Sequence, residues 1–206
     1  MVKVIIVEYD KKLVESQGFG CEAMLKNKKI SELKNLYLLF SMNISSFEFI
    51  FEILNKYLKE KALTIINNAD LEKKPIKFIE EFINLKNEMD DILINSFNKD
   101  FRFFKVINFQ FLEIIKDYEH FPEFLAIYSD NILTEGLKGK IERQEEFINI
   151  IKFFISCVLQ KDIFIGFYQF YLGYRLLNHS SFDSLLEEAV ISTLIEACGF
   201  SNVSKL

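Results

Sequence analysis

Tryptophan is absent from this chain, and proline and histidine each occur only twice in 206 residues; there are three cysteines and seven glycines. Each shortage removes a class of function. With so few glycines there is no G-x-x-x-x-G-K-[ST] and no G-x-G-x-x-G, so the backbone has no phosphate cradle of either kind, and G-x-S-x-G is missing too. Two histidines leave no H-E-x-x-H. The three cysteines, Cys21, Cys157 and Cys198, are far apart, odd in number and form no C-x-x-C. That pattern argues against a disulfide framework or a thiolate metal site and fits a reducing compartment, with Cys157 and Cys198 as core thiols. Basic charge is in deficit: the net charge is −5 and the isoelectric point about 5.3. Nothing electrostatic therefore calls for nucleic acid or an anionic membrane. Long apolar runs are also missing. The N-terminus has four consecutive apolar residues, Val4–Val7, before Glu8, too few for a signal peptide. The longest apolar stretch, Ile163–Leu177, is shorter than the roughly 20 residues of a spanning helix.

Half the residues are hydrophobic, with 23 Phe and 8 Tyr, so a sizeable core is available. Their spacing is helical in every segment after Ser31. Ser31 is positioned to cap a helix with Leu33, Leu36, Tyr37 and Phe40 on one stripe. Ser45-Ser46-Phe47-Glu48 reads as a capping box ahead of Phe47, Ile50, Phe51, Leu54 and Leu58. Asn67–Asp70 reads as a loop. Pro75 suits a first helical turn, where its missing N–H costs nothing, ahead of Phe78, Phe82, Leu85, Met89 and Leu93. Asp100 caps a helix with Phe104, Ile107, Phe111 and Ile114 inward; Pro122 opens one carrying Leu125, Tyr128 and Ile132. Gly136 and Gly139 form a linker before a long helix, Ile141 to about Leu159, with Phe147, Ile150, Ile151, Phe154 and Val158 on its inner stripe. The last helix starts near Ser181 or Ser184 and stops at Gly199, with Phe200 placed to contact Ile195. Only Val4–Val7 is ambiguous with a strand. The expectation is an all-α protein of antiparallel helices joined by short loops.

Chemistry-bearing clusters are scarce. His120 and His179 sit in polar loops, without the orienting partner that general-base work requires. The acidic pairs Glu80-Glu81, Asp90-Asp91, Glu145-Glu146 and Glu187-Glu188 point about 100° apart on a helix, so they do not converge on a substrate. Lys26, Lys28 and Lys29 read as a wet loop. No residue is assigned a catalytic, cofactor-binding or metal-binding role, and no cofactor is expected.

The segment Lys161–Gly199 carries the most information. Between Ile163 and Leu177 only Gly166, Gln169, Gly173 and Arg175 interrupt apolar and aromatic residues, so this helix is expected to be buried nearly all round, with the two glycines admitting a close helix. A buried Arg175 needs a carboxylate, a carbonyl or an aromatic face. Glu187 and Glu188 are candidate partners, and Tyr168 and Tyr171 share its face.

The pattern K-D-x-F-x-x-F-Y-x-x-x-L-x-x-R-L, followed by V-I-x-x-L-x-x-x-C-G, resembles the signature of the cullins. It is carried by Lys161, Asp162, Phe164, Phe167, Tyr168, Leu172, Arg175 and Leu176, then Val190, Ile191, Leu194, Cys198 and Gly199. Earlier blocks are similar to the same family: Gly20–Ser41 with Leu33, Tyr37, Leu39 and Phe40; SFNKDFRF at Ser96–Phe103; and PEFLAIYSDNIL at Pro122–Leu133. The departures are Gly173-Tyr174, where the family usually has Ala-Lys, and a shorter linker before Pro122.

The resemblance implies an elongated helical-repeat segment over residues 1–135 and the first helices of a four-helix bundle over 136–206. By the same resemblance cullins continue for a few hundred residues beyond the position of Leu206, and the repeat that holds a substrate adaptor has no match. The implied function is a non-catalytic scaffold segment of a cullin-RING ubiquitin ligase, spacing the adaptor from the RING subunit. The implied partners are a RING-box subunit, a substrate adaptor and an exchange factor, and the implied location is cytoplasmic or nuclear. Two rivals stand beside it: a generic α-helical tether of another complex, such as a trafficking tether, and a small enzyme with an unrecognised site. The apolar loading of residues 141–198 further predicts self-association of the isolated chain.

Overall fold

The computed structural model describes residues 20–41, 47–135, 141–178, 184–199 and 203. Among them are ten helices and no strand: α1 Cys21–Lys26, α2 Ile30–Phe40, α3 Phe47–Ile66, α4 Ala69–Glu72, α5 Pro75–Asn95, α6 Phe101–Lys116, α7 Phe121–Glu135, α8 Ile141–Cys157, α9 Lys161–Leu177 and α10 Ser184–Cys198. The expected all-α class is what is seen. Val4–Val7, the Ser45-Ser46 cap, the Gly136–Gly139 linker, His179, Ser181 and Phe200 lie outside the described residues.

The described chain divides into two compact units. One holds the residues up to Thr64 together with Asn84–Phe111; the other holds Ile65–Ile83 and the residues from Leu112 onward. The core of the first unit is aromatic. Phe97 stacks on Phe103 with ring centroids 4.2 Å apart, and Phe103 meets Phe47 and Phe51 edge-on at 5.2 and 4.8 Å. Tyr37 stacks on Phe47 at 5.5 Å and donates its hydroxyl to Asp100 at 3.1 Å. Asp100 also accepts from the Arg102 backbone N–H at 2.9 Å, the N-cap bond expected of it. Its hydrogen bonds from the Arg102 side chain hold its carboxyl below the usual range, against the opposing effect of burial. In the second unit Phe78, Phe82, Tyr118, Phe121 and Phe124 form a continuous ring cluster, joined to α8 by Phe121–Phe154. There α7 packs on α9, and α8 packs on α10.

Most inner stripes fall where the spacing puts them. The five apolar positions on α5 and the five anticipated for α8 are all buried. The exceptions have local causes. α2 begins at Ile30, ahead of Ser31, whose hydroxyl bonds Glu32 instead of capping. Asn67–Asp70 is not all loop: the Asn68 side chain accepts from the Asp70 N–H and starts the single turn of α4. On α6 the inward residue is Phe103, fully buried, whereas Phe104 is 43% exposed. Leu133 replaces the half-buried Ile132 as the last core residue of α7. Cys21 and Cys157 are the buried thiols, both pushed up by burial, to about 12 and about 11; Cys198 is half-buried. The helix stop at Gly199 forms as expected, with φ +85° and its N–H bonded to Ile195 O at 2.9 Å.

The two adjacent phenylalanines of α6 provide a direct check. Phe103→Ala should cost about 3–5 kcal/mol, the usual price of emptying a buried aromatic site. Phe104→Ala should cost less than about 1 kcal/mol. Urea midpoints of the two variants measure this, and equal losses would contradict the described packing.

Candidate functional site

Arg175 stands in the last turn of α9 and is 1% exposed. A buried guanidinium is stable only if its donors are matched. Nε and Nη2 donate to the two oxygens of Glu187 on α10 at 3.1 and 2.7 Å, the bidentate fork that arginine geometry favours. Nη1 donates to Asp130 on α7 at 2.5 Å. Tyr168, two turns earlier on the same face of α9, donates its hydroxyl to Glu187 at 2.6 Å, and the Arg175 guanidinium lies 5.5 Å from the Tyr168 ring centroid. One cation thus holds carboxylates from two other helices.

The electrostatics favour permanent charge. Burial opposes the guanidinium, yet its hydrogen bonds to Glu187 and Asp130 outweigh it and hold Arg175 above its ordinary value. Burial, reinforced by the Glu187 charge, pushes the Tyr168 hydroxyl well up, so it stays a donor at neutral pH. Neither group is poised to exchange a proton. At the opposite end of α9, Lys161 donates to Ala197 O at the end of α10 at 2.8 Å, and Lys152 of α8 pairs with Glu196 at 2.9 Å. The arrangement binds helices together.

The residues singled out by the sequence divide cleanly. Phe164, Tyr168, Leu172 and Arg175 are buried on one side of α9; Lys161, Phe167 and Cys198 are half-buried; Asp162 and Leu176 are exposed. Of the two candidate carboxylates, Glu187 is the partner and Glu188 points outward, as adjacent helical residues must. Tyr168 lies by the guanidinium. Asp130 was missed, although it is the aspartate of PEFLAIYSDNIL. α9 is not buried all round, and a Cβ added at Gly166 or Gly173 would meet nothing within 4 Å, so no helix of this chain approaches there among the described residues. His120 is exposed, stacked on Phe124 and 3.8 Å from Glu123. Lys26 and Lys28 pair with Glu22 and Glu88 at 2.6 and 3.2 Å. Among the described residues no three His, Cys, Asp or Glu side chains converge as metal ligands.

Removing one partner of a buried pair leaves the other charge stranded. Arg175→Ala should therefore destabilise the protein by about 3–5 kcal/mol. Glu187→Ala should also be costly, and the double variant should lose much less than the two single losses added together. Denaturant midpoints of the three variants measure the coupling, and additive losses would reject the ion pair as the link between α9 and α10.

Comparison with known proteins places this geometry. A family model described as the cullin alpha solenoid domain matches residues 1–206. The chain is 28% identical to the Cullin-3 of Caenorhabditis elegans over 215 aligned positions, covering all of this chain and 28% of that protein. It is 28% identical to the Cullin-3 of Dictyostelium discoideum, over 99% of this chain and 27% of the relative. Against the Cullin-3A of Arabidopsis thaliana the identity is 26%, again over 99% of this chain and 28% of the relative. The chain thus spans little more than a quarter of the length of these relatives. With the family model matched from end to end, the chain belongs to the cullin family.

Proposed function

We propose that this chain is a non-catalytic scaffold segment of a cullin-RING ubiquitin ligase, whose task is to hold a substrate adaptor and a RING-box subunit at a set separation. The single observation that carries this reading is the Arg175 lock, in which one buried cation joins α7, α9 and α10 and leaves no proton-transfer group poised. A scaffold accelerates a reaction between bound partners by restricting their relative freedom, so its requirement is stiffness. Buried, fully matched charge supplies stiffness because bending exposes unpaired groups. Among the described residues no buried side-chain nitrogen or oxygen lacks a partner.

In this reading residues 1–135 are a helical-repeat segment and residues 136–206 begin the four-helix bundle. The RING-box subunit, adaptor and exchange factor bind in the full-length context, in the cytoplasm or nucleus. A generic helical tether shares the all-α class but would not account for the family match over residues 1–206.

Two assays test the reading. The isolated chain should neither discharge a ubiquitin-loaded conjugating enzyme nor bind a Skp-type or BTB-type adaptor with sub-micromolar affinity. Substituted for the matching segment of the Dictyostelium Cullin-3, it should support substrate ubiquitination, and the same graft carrying Arg175→Ala should lose most of that activity. Ubiquitin discharge by the chain alone, or an inactive but folded graft, would overturn the proposal.

A further inference from the structure

The side of α9 opposite the Arg175 lock is open. Phe164, Ile165, Tyr168, Leu172 and Arg175 face inward. Ile163, Phe167, Phe170, Tyr174 and Leu177 follow one another at the 4-3-4-3 spacing of a coiled-coil seam on the other side. Phe170 is 69%, Tyr174 64% and Leu177 84% exposed. A shallow groove runs over Asp162, Ile163, Gly166, Phe167, Phe170 and Tyr171. Helices do not present such a stripe to water without a partner.

The glycines point to what the partner is. Glycine inside a helix is destabilising relative to alanine. Gly166 and Gly173 have no reason within the described fold, since an added Cβ at either would meet no atom within 4 Å. Both flank the stripe: Gly166 lies four residues before its middle residue, Phe170, and Gly173 three after it. If a second α9 lies antiparallel with the two-fold axis at Phe170, residues equidistant from that axis face each other. Gly166 then faces Tyr174 of the second copy, Phe167 faces its Gly173, and Ile163 faces its Leu177. Each large ring meets a glycine hole, the large-into-small match of packed helices. Asp162 falls opposite Asn178, a carboxylate against an amide. The exposed parts of these side chains amount to about 600 Å² per copy at the usual size of aromatic and aliphatic groups. A pair would bury roughly 1,200 Å², the lower limit for a stable interface.

We propose that two copies of this chain associate through the open face of α9, antiparallel, with the two-fold axis at Phe170. This gives the self-association expected of residues 141–198 a place and a register. It concerns this 206-residue chain alone, and its test reads mass and register, so its failure is distinguishable from failure of the ligase reading.

Light scattering coupled to size-exclusion chromatography of the whole 206-residue chain at tens of micromolar should give twice the 24.3 kDa chain mass. Phe170→Asp places two carboxylates together on the axis and should weaken the dimer at least tenfold, with an unchanged circular dichroism spectrum. Gly173→Leu fills the hole that receives Phe167. It should also give a monomer, with a thermal midpoint equal to or above the wild type. In a Cys198→Ser background, Phe170→Cys should form a disulfide-linked dimer on mild oxidation, because only residues on the axis face their own copy. A monomeric wild type overturns the proposal. So does a dimer that persists in both Phe170→Asp and Gly173→Leu, or one in which Phe170→Cys does not cross-link. If Phe170→Asp unfolds, Gly173→Leu and the cross-link decide.

Discussion

The junction of α7, α9 and α10 depends on keeping one guanidinium out of water. Arg175 sits where α7, α9 and α10 meet, and its desolvation is tolerable only while Glu187 and Asp130 are both in place. Such a network is not a large net source of stability, because the cost of burying charge nearly cancels the attraction. Its value is specificity. Any rotation or slide of α9 against α10 separates a bidentate pair whose oxygens are 2.7 and 3.1 Å away. Tyr168 adds a second constraint on the same carboxylate, so Glu187 is positioned from two turns of α9 at once.

The first unit uses the same chemistry more gently. Tyr57 donates to Glu88 at 2.6 Å, and Lys28 and Lys61 approach the same carboxylate at 3.2 and 3.8 Å. Tyr37 and Asp100 form a like pair. In each case a phenol whose ring is packed among apolar groups reaches a carboxylate that also holds a cation. Burial works against the Glu88 charge, but the Tyr57 and Lys28 hydrogen bonds hold its pKa below the usual range. Aromatic rings supply the bulk of both cores, and the phenols place polar anchors at their margins.

Helical periodicity made most of this fold legible, because the stripes on α5 and α8 are regular and buried on one side, and that on α3 is buried except for the half-buried Phe51. It failed where two adjacent residues are equally apolar. Phe103 and Phe104 cannot be told apart by composition, and only the stack on Phe97 selects the first. The cap at Asp100 and the stop at Gly199 were legible because each depends on a residue type with a specific local bond. The reversal after α5 was not, since it uses Asn98 and Lys99 at positive φ where glycine would have announced the turn. The lock was half legible. An arginine in an apolar helix demands a carboxylate, and Glu187 lies only 12 residues later in the sequence. Asp130 is 45 residues earlier, and no local spacing links it to Arg175. The outer face of α9 was half legible: its all-round apolar content suggested burial, while the apolar residues on opposite faces implied a patch that the neighbouring helices leave uncovered, and the exposed Phe170 and Tyr174 are that patch.

For a cullin segment the consequence is mechanical: helices tied through a shared buried charge should open together or not at all. Native-state hydrogen exchange read residue by residue measures this directly. The account predicts that the slowest-exchanging amides of α7, α9 and α10 share one opening free energy, and that Arg175→Ala splits it into separate, lower values. If α10 in the unaltered chain exchanges far faster than α7 and α9, the three helices are not locked by Arg175, and the central claim fails.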